Sequence, residues 1–111
     1  MLNDSPPKRR ASPSQILDQE LRAALEPFYI AMGGWNERLT FLLYSLGKTP
    51  ARPALLDELR TLRRDVEEGR QKMIDDVTPL SIGKYTPRLE NAQRASAQLL
   101  AKIESLLTTA V

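Results

Sequence analysis

The sequence predicts an all-α protein, an up-and-down bundle of three to four helices behind a disordered N-terminal arm. Three observations lead to this fold class. Apolar residues recur at alternating steps of three and four through most of the chain. Valine and isoleucine are scarce, and no segment alternates in the manner of a β-strand. With 111 residues, the chain has room for one small domain, which we place at residues 13–111.

The first twelve residues are predicted to be a flexible basic arm. They contain two prolines and few apolar side chains, so they cannot bury enough surface to offset the entropy of an ordered chain. The formal net charge of +2 also falls on this segment, because Lys8, Arg9 and Arg10 outnumber Asp4. The remaining chain carries equal numbers of basic and acidic residues, so the folded body is expected to be neutral.

The first helix is predicted to begin at Ser12. Its hydroxyl can accept a hydrogen bond from a first-turn amide, Pro13 suits the first helical position, and Gln15 completes a capping box. The same order of a capping residue and a proline recurs at Thr86–Pro87. We therefore expect another helix to begin there.

One apolar stripe with helical spacing runs through residues 17–46. Pro27 interrupts it, because proline cannot donate a backbone hydrogen bond and crowds the preceding turn. Gly33–Gly34 weakens it further. We expect two helices, over 13–26 and 28–46, or one helix sharply kinked near Pro27.

Two further helices are predicted over 53–77 and 87–110. At about 1.5 Å per residue each is about 35 Å long, so the two can pair along their full length as a helical hairpin. The coiled-coil-like stripe of the first consists of Leu55, Leu59, Leu62, Val66, Gly69 and Met73. The stripe of the second consists of Leu89, Ala92, Ser96, Leu99, Ile103, Leu106 and Ala110.

Most of the aromatic residues lie within positions 28–44, and two interpretations are open for them. Phe28 and Trp35 lie on the apolar stripe, so packing in the core explains them. The segment Pro27–Met32, however, is six consecutive uncharged residues, more than one narrow seam can bury. Because aromatic residues are frequent in interface hot spots, we predict a partner-binding set that comprises Phe28, Tyr29, Trp35, Phe41 and Tyr44.

The basic arm carries a second group of candidate functions. The run Lys8–Pro13 resembles sites of basophilic kinases, which recognise arginines upstream of a serine, and of proline-directed kinases. Ser12 is thus a candidate phosphorylation site, where a phosphate would lie at a helix N-terminus; an ordinary N-cap is the alternative. The basic residues Lys8, Arg9 and Arg10 would also suit a nuclear-import signal or contacts with nucleic-acid phosphates.

The helix over 53–77 is a weak candidate for nucleic-acid binding. Its basic cluster, formed by Arg60, Arg63, Arg64 and Arg70, is interleaved with acidic residues, whereas a DNA-reading helix usually presents a clear basic stripe. Spacing of four residues predicts ion pairs between Arg63 and Glu67 and between Glu68 and Lys72. We interpret this surface as a solvated face.

Several classes of function are excluded or disfavoured by composition. The chain has no Cys and no His, which excludes disulfides, thiolate or imidazole metal sites and histidine-assisted nucleophiles. Its close carboxylate pairs are adjacent in sequence and point about 100° apart on a helix, so they do not converge as an acid and a base. We expect no catalysis, cofactor or metal site. Those pairs are Asp57–Glu58, Glu67–Glu68 and Asp75–Asp76.

No apolar run approaches the roughly 20 residues of a membrane span, and the polar start lacks a secretory signal. We expect an intracellular, cytoplasmic protein, or a nuclear one in a eukaryotic cell. The leading hypothesis is a non-catalytic helical module for protein–protein interaction: a small subunit, adaptor or chaperone-like regulator in a larger assembly or a homo-oligomer. The alternative is a small nucleic-acid-associated regulator that uses the basic arm.

Overall fold

The computed structural model describes residues 12–48 and 52–110. Helical residues make up 95% of this part of the chain, and none of it lies in a strand. The all-α class is therefore confirmed. The helices are α1 (Pro13–Leu46), α2 (Arg52–Val77) and α3 (Thr86–Ala110), with two short 3₁₀ turns, Thr78–Leu80 and Gly83–Tyr85, between the last two.

Helix α1 is one continuous helix of 34 residues. Of the two alternatives at Pro27, the division into two helices is wrong and a single helix is observed. Pro27 still leaves the carbonyl of Ala23 without its usual intrahelical donor. Both residues are exposed, so water can hydrogen-bond to that carbonyl. Leu25 and Phe28, on either side of the proline, are buried in the same core, and their burial offsets the roughly 3 kcal/mol that an internal proline costs.

The predicted start of α1 is confirmed in detail. The backbone N–H of Gln15 donates to the Ser12 hydroxyl at 3.1 Å, and the backbone N–H of Ser12 donates to the Gln15 side-chain oxygen at 2.8 Å. At the other end, the Gly47 N–H donates to the carbonyl of Tyr44 at 3.2 Å. Hydrogen bonds within the chain therefore define both ends of the helix.

Helix α2 lies between the other two helices and packs against both, whereas α1 and α3 touch each other less. Arg38 of α1 bonds Asp65 of α2 at 2.9 Å, while the more N-terminal Trp35 meets the more C-terminal Gly69, so α1 and α2 are antiparallel. The expected α2–α3 hairpin is present, with bounds within one residue of the predicted ones. Helix α1 extends the core on the other side of α2.

Polar contacts join the beginning of α1 to the beginning of α3. The Tyr85 hydroxyl lies 3.0 Å from the Ser14 hydroxyl and donates to the Ser14 carbonyl at 3.1 Å. One turn further along, Arg88 pairs with Asp18 at 2.8 Å. These contacts hold the loop between α2 and α3 against α1.

Candidate protein interface

The exposed large apolar side chains are concentrated on α1. Of the seven in the described residues, only Ile82 lies elsewhere. Single exposed apolar residues are normal on a soluble protein, but a concentration on one element marks a candidate interaction surface. The six on α1 are Ile16, Tyr29, Ile30, Phe41, Leu43 and Tyr44.

Three of these side chains share one face in the middle and C-terminal part of α1, and Ile16 lies at a similar angle about four turns before Ile30. Ile30 is 70% exposed, and Phe41 and Tyr44 are each 65% exposed. At 100° per residue they fall within an arc of about 60°, centred opposite the buried residues that include Leu21 and Leu39. We call this face the outer stripe and define it by Ile30, Gly33, Gly34, Glu37, Phe41 and Tyr44.

The structure divides the predicted partner-binding set. Phe28 and Trp35 are 5% and 8% exposed, and their rings meet edge to face at 6.2 Å between centroids. They therefore belong to the core, as the packing interpretation has it. Tyr29 is half exposed on the flank of α1, where its ring contacts Phe28 edge-on. Phe41 and Tyr44 are brought together on the outer stripe.

Two glycines in the middle of the outer stripe have no packing role within the described chain. A Cβ atom added at Gly33 or Gly34 would meet no atom within 4 Å. Gly69 of α2 differs, because the indole of Trp35 occupies the space that its Cβ would need. A glycine inside a helix costs about 1 kcal/mol relative to alanine. Gly33 and Gly34 thus weaken α1 without improving the core, and they leave bare backbone on its outer face.

Phe41 stands between two shallow depressions in this surface. The first lies along α1 and the second between α1 and α2, so a partner's side chains could pack on either side of the Phe41 ring. The first is lined by Asn36, Glu37, Thr40 and Tyr44. The second is lined by Gly34, Glu37, Arg38, Leu42 and Glu58.

The candidate basic cluster on α2 is engaged by contacts within the chain. Each guanidinium has a polar partner, although the exposed pairs contribute only about 0–1 kcal/mol each. The cluster nevertheless keeps part of its positive charge, because Arg64 shares Asp65 with Arg38 and Arg70 donates to an uncharged hydroxyl. The pairs are Arg60–Asp57 at 2.8 Å, Arg63–Glu104 at 3.2 Å, Arg64–Asp65 at 3.7 Å and Arg70–Ser96 at 2.9 Å.

Two ion pairs expected from spacing are replaced by others. Arg63 reaches across to Glu104 of α3, where the spacing predicted Glu67. Lys72 pairs with Asp76 at 2.8 Å, where the spacing predicted Glu68. The hydrogen bond from Lys72 to the Asp76 carboxylate raises the pKa of this exposed lysine above its usual 10.5. Both expectations were wrong because each long side chain had more than one acidic neighbour within reach.

The predicted features of the N-terminal arm fall mostly outside the described residues, which begin at Ser12. This applies to Lys8, Arg9 and Arg10. Ser12 itself is exposed, and its hydroxyl caps α1. Its phosphorylation stays a prediction.

The described residues form neither a candidate metal site nor a membrane-spanning helix. No three acidic side chains within residues 12–48 and 52–110 come together as a metal site. No helix in the same ranges combines the length and apolar character needed to cross a membrane. No known protein family matches the chain, and comparison with curated proteins and with solved structures gives no match.

Sequence reasoning missed part of the outer stripe. Ile30, Gly33, Gly34 and Glu37 were not among the predicted partner-binding residues. A signal for them exists in a spacing of eleven residues, which is close to three helical turns. It relates Ile30 to Phe41, Gly33 to Tyr44, and Glu37 to both Glu26 and Lys48. This second pattern is harder to detect than the stripe of core leucines, because it contains fewer apolar residues.

Proposed function

We propose that the protein is a non-catalytic helical interaction module that acts as a small subunit, adaptor or chaperone-like regulator of a larger assembly. The three helices, arranged up and down, are the scaffold. The outer stripe of α1 is the surface that binds another polypeptide. The observation that carries this proposal is the grouping of Ile30, Phe41 and Tyr44 on the side of α1 opposite the core.

The chemistry of the stripe suits protein recognition. Aromatic side chains bury large areas while losing few rotatable bonds, and they dominate the energetics of many interfaces. Phe41 and Tyr44 are separated by three residues and therefore project side by side. The bare backbone at Gly33–Gly34 lets a partner helix approach α1 closely. No reaction is needed to explain any of these features.

A nucleic-acid-associated regulator that uses the basic arm is the second candidate. The net charge of +2, which falls on residues 1–12, favours it. Deletion of residues 1–11 should then abolish binding to duplex DNA or RNA. Binding by the full chain should also weaken steeply with salt. If the full chain shows neither binding nor a salt dependence, this candidate is rejected.

Photo-crosslinking in the native cell tests the leading proposal. A benzophenone amino acid replaces Phe41 in one variant and Ile82 in a matched control, since both positions are exposed and apolar. We expect position 41 to give a discrete crosslinked polypeptide, which mass spectrometry identifies, and position 82 to give none. If the two positions give the same products, the outer stripe is not a docking surface. Circular dichroism establishes that both variants are folded.

A further inference from the structure

We infer that the outer stripe of α1 binds the outer stripe of a second copy of this chain, with the two α1 helices antiparallel. This inference rests on the proposed function and names the partner. Three properties of the stripe support it: its apolar area, the order of charges along it, and the position of its glycines.

The apolar area matches one side of a standard interface. Aromatic side chains present about 200 Å² each when fully exposed. Scaled by their exposures, Ile30, Phe41, Tyr44 and the neighbouring Tyr29 offer roughly 450–500 Å². A standard interface buries about 800 Å² per partner, of which rather more than half is apolar. The stripe together with Tyr29 on its flank is therefore large enough for one dimer interface, which a two-fold axis would build from the same residues twice.

The charges along the stripe favour an antiparallel pair of identical helices. Glu26 lies on this face at its N-terminal end, eleven residues before Glu37. Lys48 lies at the C-terminal end, where its Nζ is 5.4 Å from the centre of the Tyr44 ring. Antiparallel pairing brings Lys48 of each copy within reach of Glu26 of the other. Both arrangements bring the two Glu37 carboxylates together, but parallel pairing would also set like charges against each other at both ends, which is unfavourable.

The glycines fit the same arrangement. Suppose that Phe41 of one copy lies opposite Ile30 of the other, which places the two-fold axis near residues 35 and 36. Helical side chains lean toward the N-terminus of their own helix. The Phe41 ring of one copy then leans toward Gly34 of the other. The room left by the missing side chains at Gly33 and Gly34 accepts that ring.

Analytical ultracentrifugation of the full chain tests the inference. We expect a monomer–dimer equilibrium. Phe41→Ser should weaken it by at least about 30-fold, because a buried aromatic anchor is lost from both copies. Ile82→Ser, the matched exposed control in the loop before α3, should leave the equilibrium unchanged.

A pair of glycine substitutions separates association from folding. The double change Gly33→Ala and Gly34→Ala should raise the melting temperature of the dilute monomer, because neither new Cβ meets an atom. The same change should weaken the dimer, because it fills the space that accepts the Phe41 ring. A double variant that dimerises as tightly as the wild type would contradict the proposed contact.

Crosslinking determines the orientation. The chain has no natural cysteine, so single cysteines can be joined by a short bismaleimide. In the antiparallel dimer Glu37→Cys lies near the axis and should crosslink, whereas the two copies of Glu26→Cys are about 28 Å apart and should not. If both variants crosslink efficiently, the helices are parallel and the antiparallel arrangement is wrong.

The outcomes separate this inference from the proposed function. If the chain stays monomeric up to about 1 mM, or dimerises equally well with Phe41→Ser, the second-copy inference is overturned. A photo-crosslink from position 41 to a different protein would then still support an interaction module. A monomer with no specific crosslink at position 41 would reject both.

Discussion

Gly69→Ala is expected to destabilise the protein, although alanine is ordinarily the better helix former. In the structure, a Cβ atom at Gly69 would lie 2.5 Å from Cζ2 of Trp35. Carbon atoms in favourable contact are about 3.5–4.0 Å apart, so the indole would have to move by about 1 Å. Trp35 is buried and packs edge-on against Phe28. The ring therefore cannot move without disturbing the core between α1 and α2.

The expected change in the free energy of unfolding is the difference between two opposing contributions. Alanine gains about 1 kcal/mol of helix propensity over glycine. Overpacking a well-filled core costs about 1–3 kcal/mol, and an overlap of about 1 Å with a rigid ring belongs at the upper end of that range. The net loss is then about 2 kcal/mol in the free energy of unfolding. For a domain of this size the midpoint temperature should fall by roughly 10 °C.

Urea unfolding provides the assay. Trp35 is the only tryptophan, so its fluorescence reports directly on the contact with position 69. Gly34→Ala is the matched control, since it makes the same change in an exposed part of α1 where the new Cβ meets nothing. The control should gain about 1 kcal/mol, measured at a concentration too low for association. The two alanine variants should therefore move in opposite directions. Equal stabilisation of both would refute the packing of Trp35 over Gly69.

Three hydrogen-bond deletions give further predictions. Tyr85→Phe removes the hydroxyl that bonds Ser14, and urea titration should show a loss of about 1 kcal/mol. Ser96→Ala deprives the Arg70 Nε of its buried acceptor, which should cost about 1–2 kcal/mol with an unchanged circular dichroism spectrum. Ser12→Ala removes the N-cap, so stability should fall by about 1 kcal/mol and amide exchange in the first turn of α1 should accelerate. Unaltered stability in any variant would show that its hydrogen bond contributes nothing to the fold.

The helices of this protein could be predicted from local patterns. The roles of the two residues on their apolar stripes that have no apolar side chain, Gly69 and Ser96, could not. Gly69 and Ser96 both fall in register with the leucines, and neither supplies apolar bulk. In the structure Trp35 fills the space beside Gly69, and Arg70 donates to the Ser96 hydroxyl. Each partner comes from a neighbouring helix. Helical spacing records which face a residue occupies, but it does not identify the side chain that meets it.

The sequence left two alternatives open at Pro27, and local rules could not decide between a break and a single helix. The local rule is correct, because the Ala23 carbonyl does lose its intrahelical donor. The rule does not take into account whether the carbonyl that loses its donor is open to solvent or buried in the core. Since Ala23 and Pro27 are exposed, the carbonyl can bond to water, while Phe28 stays buried in the core. Packing in the core therefore stabilises a continuous helix at a proline where local propensity favours a helix end.

The continuity of α1 through Pro27 also determines which residues lie together on its outer face. Glu26 precedes Pro27, and its place on the same face as Glu37 depends on an unbroken helix between them. Lys48 lies just beyond the end of α1, beside the Tyr44 ring. A break at Pro27 would leave the core stripe in two separate pieces and rotate Glu26 away from the outer stripe. The charges at the two ends of the stripe would then no longer lie on one line.

The composition of α1 between residues 27 and 34 also fits the proposed interface. Pro27, Gly33 and Gly34 together cost α1 about 5 kcal/mol relative to alanine. A helix that only had to fold would gain from alanine at both glycines, since neither glycine is required by packing in the described chain. The residues that weaken α1 lie beside or between the apolar side chains that it leaves exposed. The proposed interface on that face would account for both features, whereas packing within the described chain does not require the two glycines.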